Sequence, residues 1–296
     1  MKVFNFGSIN IDHVYRVPHL VAPGETLASA SLTTVLGGKG ANQSVALAKA
    51  GCAVQHIGKL GEGDAWARTQ LSDAGVDVSS VELVDGPSGH AIIQVEDSGE
   101  NSIILHGGAN QSFTQEEIHH SLSSAGTDDW LLLQNECNNI EGAFEHARHL
   151  GLSIAFNPAP MSSQVTQLPL DQCAILIVNE TEATELAQTQ DLDSAIQILG
   201  KRFPDTRVVL TRGAQGVLLM HRSELTSANA LEVEAVDTTG AGDTFVGYYL
   251  ASKMEGLDDQ LALQRSCAAA ALSVTKQGAT PSIPLSNEVD TLLQNL

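Results

Sequence analysis

The sequence is short of basic residues and of long apolar runs, and each shortage excludes a class of partner or location. It has 15 Lys and Arg against 35 Asp and Glu, a formal net charge of −20. Nucleic acids and anionic membranes are bound through basic patches, so this balance argues against either as a partner. No apolar run approaches the ~18 residues of a membrane-spanning helix, and MKVFNFGSIN at the start lacks the apolar stretch of a signal peptide. We therefore expect a cytoplasmic protein.

Cysteine is also scarce. The four cysteines, Cys52, Cys137, Cys173 and Cys267, are widely separated and form no CxxC pair, which argues against a disulfide framework and against a zinc site. The chain needs neither, because 296 residues, 43% of them hydrophobic, can bury about three quarters of the unfolded surface. If so acidic a protein binds a polyphosphate, the positive potential has to come from helix N-termini, backbone amides and metal ions.

What the sequence does contain is an alternation of short apolar runs with helical patterns. The predicted strands are 2–6, 54–59, 130–134, 153–156, 174–178, 207–210 and 216–221. Helical patterns between them include 41–50, 64–74, 140–150, 192–203 and 243–254. This alternation predicts an α/β fold of three layers, α/β/α, with a mostly parallel sheet between helices. Continuous apolar runs such as LLL at 131–133 fit strands that are buried on both faces.

Two regions break the alternation and have β character instead. They are 13–36 and 89–106, and the second reads as a hairpin, HAIIQV and SIILH around a Gly-containing turn. We predict that 13–36 and 89–106 form a small β lid. The α/β core would then comprise 1–12, 37–88 and 107–296.

Polar side chains follow several of the predicted strands: Asn10 and Asp12, Asn157, Asn179 and Thr211. In open α/β sheets the ligand binds beyond the carboxyl ends of the strands. One polar residue at a strand end is typical of any turn, but several at one edge indicate a binding site. Asn10 and Asp12, two residues apart in extended chain, point the same way; alone, such a pair would indicate an Asx-turn.

The strongest motif is Asp237-Thr-Thr-Gly-Ala-Gly-Asp243, followed by a helical pattern. Gly240 and Gly242 let the backbone approach a ligand closely, and the amides at the start of a helix form an anion hole for a phosphoryl group. Asp243 lies in the first turn, where a carboxylate can take the proton of an attacking hydroxyl. The alternative is that Asp243 only caps the helix and the glycines only form a turn.

A second glycine-rich motif, GGKGANQ at 37–43, opens another helical pattern. It is not a P-loop, because Gly40 stands where GxxxxGK[ST] requires Ser or Thr. It is either a turn that lets a polyol approach the backbone, with Lys39 and Asn42 bonding its hydroxyls, or a plain helix-starting loop.

Together these segments resemble ribokinase and the wider PfkB-type carbohydrate kinase family along the whole chain. The matching segments are GSINIDH, PGET, GGKGANQS, GENSI, NPAP, NETEA, TRGAQG, DTTGAGDTF and KQGATPSIP. The resemblance implies an ATP-dependent sugar kinase with Asp243 as the base on a primary hydroxyl. The anion hole would be formed by Gly240, Ala241 and Gly242. The sugar would be bound by Asn10, Asp12, Gly38, Lys39, Asn42, Glu136 and Asp243.

The resemblance also implies a nucleotide site and two cations. ATP would contact Asn179, Glu182, Thr211, Gly213, Gly216, Gly242 and Cys267, although Cys267 stands where a polar residue can contact adenine. Mg²⁺ would be held through water by Glu182. An activating K⁺ would be bound by Asp237, Thr239, Ser273, Lys276, Gly278 and Ser282, several of them through carbonyl groups.

D-ribose is the expected substrate, and a fructose-like sugar or a nucleoside is the alternative. An inactive sugar-binding regulator would have lost Asp243, the GAG turn or NETE, and all three are intact. A nicotinamide enzyme would need GxGxxG after the first strand, where this chain has GSINID. Because exposed lid edges have to be covered or paired, we expect a homodimer through the lid.

Overall fold

The computed structural model describes residues 1–295 and places thirteen strands within them. In chain order these are β1 Val3–Phe6, β2 Asn10–Arg16, β3 Ser31–Gly37, β4 Val54–Gly61, β5 Asp77–Val84, β6 Gly89–Val95, β7 Asn101–His106, β8 Trp130–Gln134, β9 Ser153–Asn157, β10 Ile175–Asn179, β11 Arg207–Thr211, β12 Val217–His221 and β13 Glu224–Ala228.

The helices are α1 Lys39–Lys49, α2 Ala65–Asp73, α3 Gln115–Ser121, α4 Ile140–Leu150, α5 Glu180–Ala187, α6 Leu192–Arg202, α7 Ala241–Met254, α8 Asp259–Val274 and α9 Ser286–Gln294. Helices alternate with strands in part of the chain, whereas α5 and α6, and then α7 to α9, follow one another with no strand between them. No helix in residues 1–295 combines the length and the apolar character that crossing a membrane requires.

Nine strands form one large sheet in the order β13-β12-β11-β10-β9-β8-β1-β4-β5. In that sheet order, every neighbouring pair from β11 through to β5 is parallel. Strand β12 pairs antiparallel with both β11 and β13. This confirms the predicted α/β class. Two of the nine, β5 and β13, were not predicted, because they lie at the edges and carry polar, largely exposed residues.

Helices cover both faces of this sheet because the strands are apolar on both sides. Along β8, Leu132 packs into one core with Val45 of α1 and Tyr248 of α7, whereas Leu131 packs on the opposite face with Phe144 of α4. Helices α1, α2, α7, α8 and α9 lie on the first face, and α3 to α6 lie on the second. The large sheet is therefore the middle layer of three.

A second sheet of four strands, ordered β3-β2-β6-β7, contains the two segments predicted as a lid. The predicted hairpin is present, since β6 and β7 pair antiparallel with His90 opposite His106. The sheet extends further than predicted, because Asn10 pairs with both Gly37 and Gly89. Residues 10–12 therefore belong to a strand of this sheet. That the sheet acts as a lid stays a prediction.

Candidate active site

The turn before α7 aims the start of that helix at the carboxyl edge of the large sheet. Gly240 has φ +75, a conformation that L side chains rarely adopt, and a Cβ there would lie 3.0 Å from the Cβ of Ala279. No side chain in the described chain caps α7, so the first-turn amides of Gly242 and Asp243 are available to a ligand. The amide of Ala241 lies 3.3 Å from the carbonyl of Thr238. A Cβ on Gly242 would meet nothing within 4 Å.

Asp243 is buried, with 8% of its surface exposed, and its two oxygens are held by two amides of α1. Asn42 Nδ2 donates to Oδ2 at 3.0 Å, and Gln43 Nε2 donates to Oδ1 at 2.9 Å. Burial raises the pKa of Asp243 above its ordinary value, while Lys39 and the bonds from Gln43 and Asn42 act to lower it. The carboxylate is thus fixed in direction and made more basic than a solvated one.

Lys39 is the cation at the centre of the site. Burial acts to lower its pKa, but the carboxylates of Asp243, Glu136 and Glu182 outweigh burial and hold the pKa above its usual value. Lys39 therefore stays protonated, and it supplies positive charge between three acidic groups from three different parts of the chain.

The predicted sugar residues converge on the N-terminus of α1. Glu136 Oε2 accepts hydrogen bonds from Ser8 Oγ and from the amide of Lys39, the latter at 3.1 Å. Asn10 Oδ1 accepts from Asn110 Nδ2 at 2.8 Å. Gly37 leaves space that the Asp12 carboxylate occupies, since a Cβ on Gly37 would overlap that carboxylate. Gly38, at φ +91, lies against the amide of residue 10.

Asp12 and Glu136 form an acidic pair within this cluster. Burial, and then the charge of Glu136, raises the pKa of Asp12 to about 6. Burial also raises the pKa of Glu136, against the opposing effects of Ser8 and Lys39. Such carboxylates accept hydrogen bonds from hydroxyl groups, and they repel a phosphate.

A cavity of about 150 Å³ adjoins Asp243 and Lys39. Its lining includes Lys39, Asn179, Glu182, Thr211, Gly242 and Asp243. Asn179 and Glu182 form a reciprocal cap at the start of α5: Asn179 Oδ1 accepts from the Glu182 amide at 2.8 Å, and Glu182 Oε2 accepts from the Asn179 amide at 2.9 Å. Burial raises the pKa of Glu182.

Three predicted nucleotide residues do not reach this cavity. Gly213 and Gly216 form the turn between β11 and β12, at φ +51 and +85. Cys267 lies within α8 in the apolar core, and burial raises the pKa of its thiol to about 12. The structure therefore does not join these three to the other ATP residues, and their roles stay predictions.

The predicted cation residues come from two segments that pack together. Asp237 Oδ1 accepts from Thr239, at 2.9 Å from its amide and 2.6 Å from its hydroxyl, and Oδ2 accepts from the Gly278 amide at 2.9 Å. Burial acts to raise the pKa of Asp237, but these bonds lower it overall. Ser273 and Ser282 are buried, and the ammonium of Lys276 pairs with Glu288 at 3.1 Å.

Sequence reasoning missed polar residues that bond the predicted ones, among them Ser8, Gln43 and Asn110, and it missed Gln134, which bonds Gln43. Ser8 and Gln43 lie inside the quoted motifs, and Gln134 is the polar end of the predicted strand 130–134, so their proximity to the site could have been inferred. Nothing in the sequence around Asn110 indicates a role, because it reaches the site only through folding.

Comparison with known proteins finds similarity along nearly the whole chain. The model of the pfkB family of carbohydrate kinases matches residues 1–285. A ribokinase of Haemophilus influenzae is 36% identical over 300 residues, covering 98% of this chain and 97% of that protein. A Thermotoga maritima ribokinase structure has a TM-score of 0.90 at 32% identity, over 100% of both chains. An Arabidopsis thaliana ribokinase complexed with ribose and ATP has a TM-score of 0.87 at 30% identity, over 99% of this chain and 98% of that one.

Proposed function

Because this chain belongs to the pfkB family of carbohydrate kinases, we propose that it phosphorylates D-ribose, transferring the γ-phosphoryl group of ATP to the primary hydroxyl. The observation that carries the proposal is the position of Asp243. It lies beside the uncapped start of α7 and lines the cavity with Asn179, Glu182 and Thr211, and it is also hydrogen-bonded to Asn42 and close to Glu136 of the sugar cluster. A hydroxyl and a polyphosphate would meet there.

Asp243 acts as the general base in this mechanism. Its raised pKa suits proton removal from a hydroxyl, and the two amide bonds leave its remaining lone pairs for the substrate. The amides of Gly242 and Asp243 stabilise the charge on the transferring group, and Lys39 adds a fixed positive charge. Positioning and electrostatics supply the rate enhancement, as in other phosphoryl transfers.

An unpaired acceptor supports a hydroxylated substrate. Asn42 is 6% exposed, its Nδ2 bonds Asp243, and its Oδ1 has no partner among the described residues. A buried acceptor without a partner costs free energy, and a sugar hydroxyl next to the base would satisfy it. Asp12 and Glu136 favour an uncharged sugar over a sugar phosphate, since Lys39 is their one cationic neighbour in the cluster.

Mg²⁺ fits the cavity because carboxylate and amide oxygens line it. Glu182 and Asn179 would hold the ion through water, and the bound ion would neutralise phosphate charge. The carboxylate of Glu182 is already fixed in direction by the amide and side chain of Asn179.

K⁺ fits the segments around Asp237 because their donor atoms are carboxylate, hydroxyl and carbonyl oxygens, the ligands that hard cations take. Asp237 is kept ionised by Thr239 and Gly278. Bound there, K⁺ would add positive charge behind the anion hole, which an acidic protein otherwise lacks. The Lys276 ammonium points to Glu288, so its carbonyl is the group available to a cation.

We also propose that the enzyme is cytoplasmic and that it forms a homodimer through the lid. Strand β7 is exposed along its whole length and carries Ile103, Ile104 and Leu105, each at least half exposed. An apolar edge strand of this kind needs a cover.

The test is a coupled ADP-release assay with D-ribose, D-fructose and a nucleoside, with and without K⁺. We expect the highest kcat/KM with D-ribose and stimulation by K⁺. Asp243→Asn should lower kcat by about 10² to 10⁴ and leave the KM for ribose nearly unchanged. Turnover of Asp243→Asn near the wild-type rate would refute the assignment of the base, and a nucleoside as best substrate would refute ribose.

A further inference from the structure

Asp243 is backed by a network of buried amide side chains, of which Asn157 lines the cavity. Gln43 has no exposed surface, and it does not line the cavity. Its Nε2 donates to Asp243 Oδ1 at 2.9 Å and lies 3.1 Å from Asn157 Oδ1. Its Oε1 accepts from Gln134 Nε2 at 2.7 Å. Gln43 therefore reaches the site through two neighbours, Asp243 and Asn157, and Asn157 also lines the cavity.

The direction of the Gln43 amide is fixed by its neighbours. Gln134 Nε2 also donates to Asn5 Oδ1 at 3.0 Å, and Asn5 Nδ2 donates to the carbonyl of Gly40 at 2.8 Å. Asn157 Nδ2 donates to the carbonyl of Ile177 at 3.0 Å, so its oxygen faces Gln43. A reversed Gln43 would place its oxygen against the Asp243 carboxylate and its NH₂ against that of Gln134. This orientation of Gln43 satisfies Asp243 and both hydrogens of the Gln134 amide, although Gln134 Oε1 has no partner among the described residues.

We propose that Gln43 is a positioning residue for the base: it aims the Asp243 carboxylate at the cavity and favours its ionised form, and Gln134 holds Gln43 in the orientation that does so. This inference rests on the proposed function, in which Asp243 is the base.

The charges around Asp243 explain why an uncharged donor is needed there. Lys39 of α1 is the one cation that faces it, and the carboxylates of Glu182 on α5 and Glu136 after β8 oppose its ionisation. Amide donors lower the pKa of a buried carboxylate without adding charge. Asn42 is the other such donor, but its unpaired oxygen is a proposed contact of the sugar. Gln43 is therefore the donor whose removal tests positioning without removing a proposed sugar contact.

The experiment is the pH dependence of kcat, from about pH 5.5 to 9, with saturating ribose and ATP. The variants are Gln43→Met, which keeps the length of the side chain and removes the amide, and Gln134→Met, which leaves both Asp243 bonds in place. Gln55→Met is the matched control, because Gln55 is also buried and bonds Ser80 on the far side of the sheet from Asp243.

In Gln43→Met we expect the acidic limb of kcat to move up by about one pH unit, the effect of losing one hydrogen bond to a charged group. Its kcat should therefore fall further at the acid end of the range than at pH 9, approaching about tenfold further at pH values well below the limb of both enzymes. Gln134→Met should shift the limb less, in the same direction, and Gln55→Met should not shift it. A KM for ribose within about twofold of wild type is expected throughout.

An equal loss of kcat at every pH, or no loss, in Gln43→Met would overturn the inference. If Gln43→Met does not fold, Gln134→Met decides, and an unshifted limb there overturns it equally. Failure of the proposed function looks different. In that case Asp243→Asn keeps its activity. If Asp243→Asn is inactive but the acidic limb of kcat in Gln43→Met is not shifted, only the positioning role is refuted.

Discussion

Asp12 is predicted to make the enzyme less stable at neutral pH while it serves sugar binding. Its pKa is raised from 3.8 to about 6 in the folded protein, so the folded state holds its proton more tightly than the unfolded state. The favourable contribution of protonated Asp12 to the unfolding free energy is present at acid pH and is lost as the pH rises between about 4 and 6. At neutral pH the raised pKa of Asp12, about two units above its ordinary value, lowers the unfolding free energy by about 3 kcal/mol relative to acid pH.

The perturbation is Asp12→Asn, which removes the titration. Between pH 5 and pH 7.5, linkage with a folded pKa of about 6 gives a change of about 1.4 kcal/mol. We therefore expect the unfolding free energy of the variant, minus that of wild type, to rise by about this amount from pH 5 to pH 7.5. Other effects of the substitution, such as altered hydrogen bonding, cancel when the two pH values are subtracted.

The assay is urea denaturation of the unliganded enzyme at both pH values, with fixed protein concentration. The control for the substitution itself is Asp97→Asn, at an exposed position in the turn between β6 and β7. The KM for ribose of Asp12→Asn should rise by about 10-fold or more, because a charge-assisted hydrogen bond is lost. A pH-independent stability difference for Asp12→Asn would refute the burial argument.

Other substitutions test the remaining features. Gly240→Ala should lower the unfolding free energy by about 1 kcal/mol or more in denaturant, because φ is +75 and Ala279 is 3.0 Å away. Gly242→Ala meets no neighbour, so it should fold as stably as wild type while kcat falls because a methyl group enters the phosphate space; unchanged kcat would place the phosphate elsewhere. Asp237→Asn should reduce K⁺ stimulation of kcat in a salt titration, and equal stimulation would move the cation site. Ile104→Asp should convert a dimer to a monomer by size-exclusion chromatography, and an unchanged elution volume would exclude the lid as the interface.

Much of the fold follows from the sequence because buried parallel strands are recognisable locally. Strands β8 and β10 are short apolar runs between helical patterns, and both lie where they were predicted. Edge strand β5 was missed because much of it is exposed and its sequence, DVSSVELV, breaks strict alternation at Ser79-Ser80 and at Leu83-Val84. Strand β2 begins at Asn10, within the residues assigned to the core, because its pairing with Gly37 and Gly89 depends on two distant segments.

The sequence by itself determined the residues that have to be near a ligand. Glycines with forced conformations and a carboxylate at a helix start are local features, so DTTGAGD and GGKGANQ could be interpreted without a structure. Only the tertiary structure decided how these residues act on one another. Gln43 and Asp243 are 200 positions apart, and Gln134 lies 91 positions from Gln43. The pKa of Asp243 and the direction of its carboxylate depend on burial and on those contacts, which exist only once α1, α7 and the central strands have packed together.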